Sequence, residues 1–235
     1  MTEIWSYLAH APLLWLASTL LAFVIGQWIF SLSGQSPMAN PAVIAMILLA
    51  FLLHFTATPF ATYFEGAQFV HFLLGPATVC LALPLYDNLA RIKQAGLPLL
   101  GALIVGCGMG IGGALTMAWA FGVKGALLTA IAPKAATGAV AIGIAEKMNG
   151  SPTLTALMVT MTGVTGALIA TPLLNLLRIK DFRARGFALG VASHGFGTAR
   201  ALQVNQTAGA FAGLGMGLNA LLTAILAPIL LQLFL

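Results

Sequence analysis

Two short stretches of the chain gather side chains able to bind or protonate a ligand. In the first, LLTAIAPKAATGAVAIGI, Lys134 follows Pro133 inside an apolar run, and the nearest acidic residue in sequence is Glu146. A lysine deep in a membrane costs about 2.5–3.5 kcal/mol on insertion scales, so it needs an anionic partner, a water-filled cavity or loss of its proton. Pro133 interrupts the helix. The residues after it, Ala135 to Gly138 with the hydroxyl of Thr137, open a half-helix whose unpaired N–H groups face the break. A cation beside a helix N-terminus is chemistry for an anion. The structural alternative is a lysine that snorkels to the interface or pairs with a neighbour.

The second stretch is SHGFGTAR, residues 193–200. Gly195 and Gly197 flank Phe196 and let the backbone approach a ligand closely. Ser193 and Thr198 offer hydroxyls, and Arg200 offers a planar fork matched to a carboxylate. His194 titrates near working pH and is a candidate proton carrier; the alternative is a structural hydrogen bond. Asn219, inside the last apolar run, is a further substrate-binding candidate, or else a helix-to-helix bond. Thr58-Pro59 with Tyr63, Glu65 and Gly66 forms a polar stretch between the second and third apolar segments, in which Glu65 is a second proton-coupling or gate candidate, with an exposed loop charge as the alternative. Ser193 and His194 are adjacent and lack both a partner acid and a nucleophile elbow, so no enzyme is expected. No metal-ligand spacing or cofactor motif is present.

The elements that hold these residues follow from composition. Of the residues 60% are hydrophobic and 6% charged, with a mean hydropathy of +1.01. A soluble domain carries roughly 25% charged residues, so soluble enzymes, nucleic-acid binders and disordered chains are excluded. The chain is an integral membrane protein forming one transmembrane domain. Glu3 and the lack of Lys or Arg in the first eleven residues argue for a retained first span rather than a cleaved signal. Cys80 and Cys107 lie in apolar runs and are expected to be free, buried thiols.

Eight apolar segments cover about residues 12–30, 41–55, 68–86, 97–121, 125–145, 153–177, 187–204 and 208 onward. Arg91 and Lys93 follow the third; Arg178, Lys180, Arg183 and Arg185 follow the sixth. Both loops are short and basic and should share the cytoplasmic side. An even number of crossings must then separate them, so one of the three intervening segments enters and leaves by the same face. The fifth, broken at Pro133-Lys134, is that segment. The seventh, broken at Gly195, is read the same way.

The expected fold is all-α, with about six transmembrane helices and two re-entrant hairpins, 125–148 from outside and 187–206 from inside, as in inverted-repeat transporters. Eight plain crossings are the alternative. Residues 1–56 would form scaffold helices and 57–235 the transport core, with a third irregularity at Gly75-Pro76 and the N-terminus outside.

The stretches TPFATYFEGAQFVHFLLGPATVCLALPLY, APKAATGAVAIGIAE, RIKDFRARGFALGVASHGFGTARAL and GAFAGLGMGLNALLTAILAP resemble the LrgB/CidB family of bacterial membrane proteins. The resemblance implies a multi-pass protein of the bacterial inner membrane. It implies either an antiholin- or holin-like modulator of murein hydrolase export and lysis, with a small LrgA/CidA-type partner, or a carrier like the related plastid glycolate/glycerate translocator. The residues favour the carrier, moving a small 2-hydroxy or 2-oxo monocarboxylate alone or with a proton. By analogy with other carriers a homodimer is expected; no nucleic-acid partner is.

Overall fold

The fold is that of a computed structural model, which describes residues 11–73, 76, 79, 80 and 86–234. Among these residues the protein is all-helical. Its helices are α1 (Pro12–Leu32), α2 (Pro41–Phe55), α3 (Phe60–Phe72), α4 (Leu89–Gln94), α5 (Gly96–Ala120), α6 (Ala126–Ile131), α7 (Gly138–Lys147), α8 (Pro152–Leu176), α9 (Phe182–Val204) and α10 (Gln206–Leu231), with a 3-10 turn at Pro37–Ala39. Four of them, α1, α5, α8 and α10, are long and apolar enough to cross a membrane, and α2 is apolar but shorter. In lipid every backbone N–H and C=O must be satisfied within the segment, which helices do.

Local signals set the helix starts. Asn40 caps α2 by accepting from the N–H groups of Ala42 and Val43, with Pro41 at the first helical position. Ser151 and Pro152 repeat the device at α8. Asp181 and Asn205 cap α9 and α10. The helix expected from about Phe187 therefore begins at Phe182. The charges of RIKDFRAR look like a loop, but Asp181 turns the second half of that stretch into a first helical turn.

The chain divides into two compact units between Cys80 and Leu81. In the first, α1 packs on α2 and α3. Trp15 is fully buried, with its ring edge-on to Tyr63 at 6.0 Å, and Tyr63 Oη lies 3.1 Å from Thr19 Oγ1. Gly66 sits where any Cβ would overlap the Pro12 carbonyl. The stretch around Tyr63 and Glu65, expected as a polar connection, is thus mostly helix: α3 buries Tyr63 partly against α1 and leaves Glu65 exposed. The third apolar segment, with its Gly75-Pro76 break, falls partly outside the described residues.

In the second unit α5, α8 and α10 run the full height. Leu103 of α5 shares a core cluster with Phe211 near the start of α10, and Ala118 shares one with Leu231 near its end, so α5 and α10 are parallel. Leu174 near the end of α8 clusters with Ala208, so α8 is antiparallel to both. Arg91 Nη1 donates to Thr207 Oγ1 at 3.3 Å at the start of α10. The loop before α5 and the loop after α8 therefore lie at one end, and this end carries Arg91, Lys93, Arg178, Lys180, Arg183 and Arg185. Lys124 and Lys147 lie at the other. The sharing of one end by the two basic loops is as the charge pattern requires.

Two segments between these helices turn back on themselves. After α6 the chain bends at residues 132–137 and returns as α7, which brings Gly150 against the side chain of Thr129. In α9, Ser193 (φ −135°, ψ 15°) and His194 (φ 39°, ψ −128°) leave the helical region and divide it into residues 182–192 and 195–204. The first half runs parallel to α10, with Gly186 against Ala208 and Gly190 against Ala212; the second returns and packs Leu202 on Gly209. The α6–α7 hairpin clusters with Ala227 and Leu231, whereas the α9 hairpin packs by the basic end. They enter the bundle from opposite ends.

Candidate functional site

Both bends stop near the middle of the long helices. Asn219, halfway along α10, donates from Nδ2 to the carbonyl of Ala135 at 3.0 Å, which fixes the bend of the first hairpin at that height. His194, at the bend of the second, donates from Nε2 to the carbonyl of Val159 on α8 at 3.1 Å. Because Val159 offers an acceptor, Nε2 carries the hydrogen. Val159 in turn clusters with Ala136 and Ala141 of the first hairpin. Lys134, Thr137, Ser193, His194 and Asn219 therefore belong to one mid-height region.

The region holds one cation and the starts of two half-helices. Lys134 is half-buried; its backbone N–H donates to the Ile131 carbonyl, and its ammonium has no hydrogen-bond or ion-pair partner among the described residues. Thr137 precedes the ten-residue α7, and its side chain makes no capping bond, so the first-turn N–H groups of α7 stay open to the bend. The half-helix from Gly195 likewise starts at the bend of α9. Two positive helix ends thus point to mid-height beside a free ammonium. Asn219 is buried, and its Oδ1 lacks a hydrogen-bond partner.

The second bend is wedged by close packing. A Cβ on Gly166 would overlap Ser193 Oγ, and one on Gly163 would press on the rings of His194 and Phe196. Thr198 Oγ1 donates to the carbonyl of His194 at 2.9 Å and reaches Met216 Sδ at 3.8 Å. Arg200 stands apart. It lies six residues beyond His194, about 9 Å along a helix and towards the basic end. It is buried, with Nε donating to Thr171 Oγ1 at 3.3 Å and Nη1 to Gln203 Oε1 at 3.4 Å. Glu65 belongs to the first unit. A cavity of about 640 Å³ opens between α5 and the first half of α9, from Gln94 and Arg183 to Ala192 beside Ser193; neither Lys134 nor Arg200 lines it.

Val159, Gly163, Gly166 and Thr171, all on α8, seat the second hairpin and carry no chemical signal of their own. The two glycines three residues apart in MTGVTGAL were the available hint, since small residues mark close helix approach. Both cysteines are free thiols, Cys107 buried as expected, but Cys80 is exposed rather than buried.

Long apolar helices around two broken, inward-turned segments define a multi-pass membrane protein. The chain belongs to the LrgB-like family, which it matches over residues 19–233. It is 33% identical over 200 residues to the holin-like protein CidB of Staphylococcus epidermidis, a match covering 85% of this chain and 87% of that protein. CidB of Staphylococcus aureus is 32% identical over 199 residues, covering 85% and 87%. The antiholin-like protein LrgB of Bacillus mycoides is 28% identical over 217 residues, covering 92% and 94%. No solved structure matches the chain.

Proposed function

We propose that the protein is a secondary transporter of small monocarboxylates, working by alternating access in the bacterial cytoplasmic membrane. On this reading the two hairpins are re-entrant and meet at the bilayer midplane, within a fold of six crossings. Irregular backbone survives at membrane depth only against protein or a watery cavity, and half-helix N-termini there receive anionic groups. The observation that carries the reading is Lys134: a cation without an ion-pair partner among the described residues, at mid-height beside an open helix N-terminus. Thr137 and Asn219 complete its side of the site, and Ser193, His194 and Thr198 the other. Arg200 stands on the route from the basic end. His194 has Nε2 committed to Val159, which leaves Nδ1 as the position for a proton. Glu65 is the second proton-coupling candidate.

A second reading is regulation of murein hydrolase export and lysis, together with a small LrgA/CidA-type membrane protein and without transport; the relatives' holin-like and antiholin-like names support it. Those names bear on it more directly than on transport, since none mentions a transported molecule. Uptake of labelled glycolate, lactate or pyruvate into proteoliposomes separates the two. The carrier reading expects uptake that Lys134→Ala abolishes while the protein stays folded. Absence of uptake, with a lysis phenotype that survives Lys134→Ala, supports the regulator. Homodimerisation, through the apolar first helices, is part of the carrier proposal and is checked by the mass of the detergent-solubilised protein.

A further inference from the structure

The cavity between α5 and the first half of α9 is polar only at its mouth, which Gln94, Asp181 and Arg183 form at the basic end. Below them every lining residue is apolar, among them Pro98, Ala102 and Gly106 on one wall and Ala184, Ala188 and Ala192 on the other. Most of these small residues are exposed, so they leave the cleft open rather than filling it. With no hydrogen-bonding side chain below its mouth, it offers nothing to a small carboxylate. It offers a hydrocarbon chain close packing on both sides. The cleft ends where α5 meets α9, since a Cβ on Gly106 would lie 3.1 Å from Val191 Cγ1. From Gly96 to Gly106 α5 rises about 15 Å, half of the roughly 30 Å hydrocarbon core. The cleft is one leaflet deep.

Its mouth lies at the end that carries six of the ten Lys and Arg, with Asp87 and Asp181 as the acids there. Arg183 gives Nε and Nη2 to Asp181, and its Nη1 has no partner among the described residues. Lys93, exposed, directly precedes Gln94 of the mouth. We infer that the cleft binds an anionic phospholipid of the leaflet at the basic end, its phosphate on Arg183 Nη1 and Lys93 and one acyl chain between α5 and α9. Basic pockets between transmembrane helices recognise such headgroups. A zwitterionic lipid brings the same chains but also a cation, which the surplus of Lys and Arg repels. The occupant is the same whether the protein carries an acid or regulates lysis.

Phosphatidylglycerol, phosphatidylcholine and inorganic phosphate are the probes, added to delipidated wild-type protein in detergent. Phosphatidylglycerol should raise the Tm by at least about 4 °C, as a saturating ligand of the folded state does. Phosphatidylcholine should give less than half that shift, and inorganic phosphate none. Native mass spectrometry after exposure to an equimolar mixture should show phosphatidylglycerol retained at least fivefold over phosphatidylcholine. Ala188→Trp and Ala102→Trp, which fill the cleft from its two walls, should each cut that retention at least fivefold, and Arg183→Gln should remove the preference while lipid still binds. Equal Tm shifts with the two lipids, a shift with phosphate alone, or unchanged retention in a folded Ala188→Trp overturns the assignment. So does labelling of Ala188→Cys, in a background lacking Cys80 and Cys107, by a membrane-impermeant maleimide in phosphatidylglycerol proteoliposomes, which would make the cleft an aqueous passage.

Discussion

The two hairpins are built to opposite specifications. The α9 hairpin is fitted to its neighbours at the backbone: Gly186, Gly190 and Gly197 each sit where a Cβ would strike main-chain atoms, and α8 contributes Gly163 and Gly166 to seat its bend. Its polar groups are occupied, His194 with Val159, Thr198 with His194 and Arg200 with Thr171. The α6–α7 hairpin has no such wedge: Gly138 and Gly143 have nothing within 4 Å of a built Cβ. Its polar groups are open instead: among the described residues Lys134 lacks an ion-pair partner, and Asn219 of α10, which bonds the Ala135 carbonyl, keeps Oδ1 unpaired. On the proposed carrier reading both hairpins line the site, the second held tightly in place and the first presenting the more open groups.

The sharpest way to break this contrast is to fill the wedge. Gly186→Val should prevent accumulation of folded protein, because the collision is with the Ala208 backbone, which cannot turn aside. A monodisperse gel-filtration peak at wild-type yield contradicts the close packing. Next in size, Lys134→Met should lower carboxylate uptake at least 100-fold. The same change removes an unpaired cation worth up to about 3 kcal/mol in the membrane, so Tm should rise as function is lost. A fall in Tm would make Lys134 a structural residue.

On the open hairpin, Gly143→Ala should be tolerated and raise helix stability by up to about 1 kcal/mol, seen as an unchanged or higher Tm. The smallest effect belongs to the cap of the fixed hairpin. Arg183 bonds to Asp181 and holds its carboxyl below the usual carboxylate range. A depressed acid contributes stability above its unfolded pKa of about 4 and loses it as pH falls through the lower folded value. Asp181 is exposed, so Asp181→Asn, which keeps an N-cap, should cost under about 1 kcal/mol and flatten only the acid limb of a Tm–pH profile.

The sequence made the breaks legible because they violate membrane rules locally. A lysine behind a proline in an apolar run, and charged and polar residues beside glycines, are costly unless the backbone is interrupted for a purpose. The placement of two basic loops at one end followed from their residues alone, as did the start of α2 at Pro41. What stayed hidden depended on tertiary contacts. Asp181 converted an apparent loop into the first turn of α9, Tyr63 drew the polar stretch around it into a helix, and the pairing of Arg200 with Thr171 could not be read from either residue. Arg200 and Lys134 both look like anion ligands in the sequence, but the turn spacing of α9 carries Arg200 away from the bend.

The central claim is that the two hairpins enter from opposite faces and turn back at mid-membrane, and cysteine labelling tests it directly. In cells of variants lacking Cys80 and Cys107, single cysteines at Lys124, Asn149, Lys180 and Gln206, all exposed at hairpin ends, are treated with a membrane-impermeant maleimide. Cysteines at 124 and 149 should label from outside and those at 180 and 206 only after permeabilisation. Residues 124 and 149 reporting opposite faces, or 180 and 206 doing so, would mean that a broken segment crosses the bilayer and would contradict the claim.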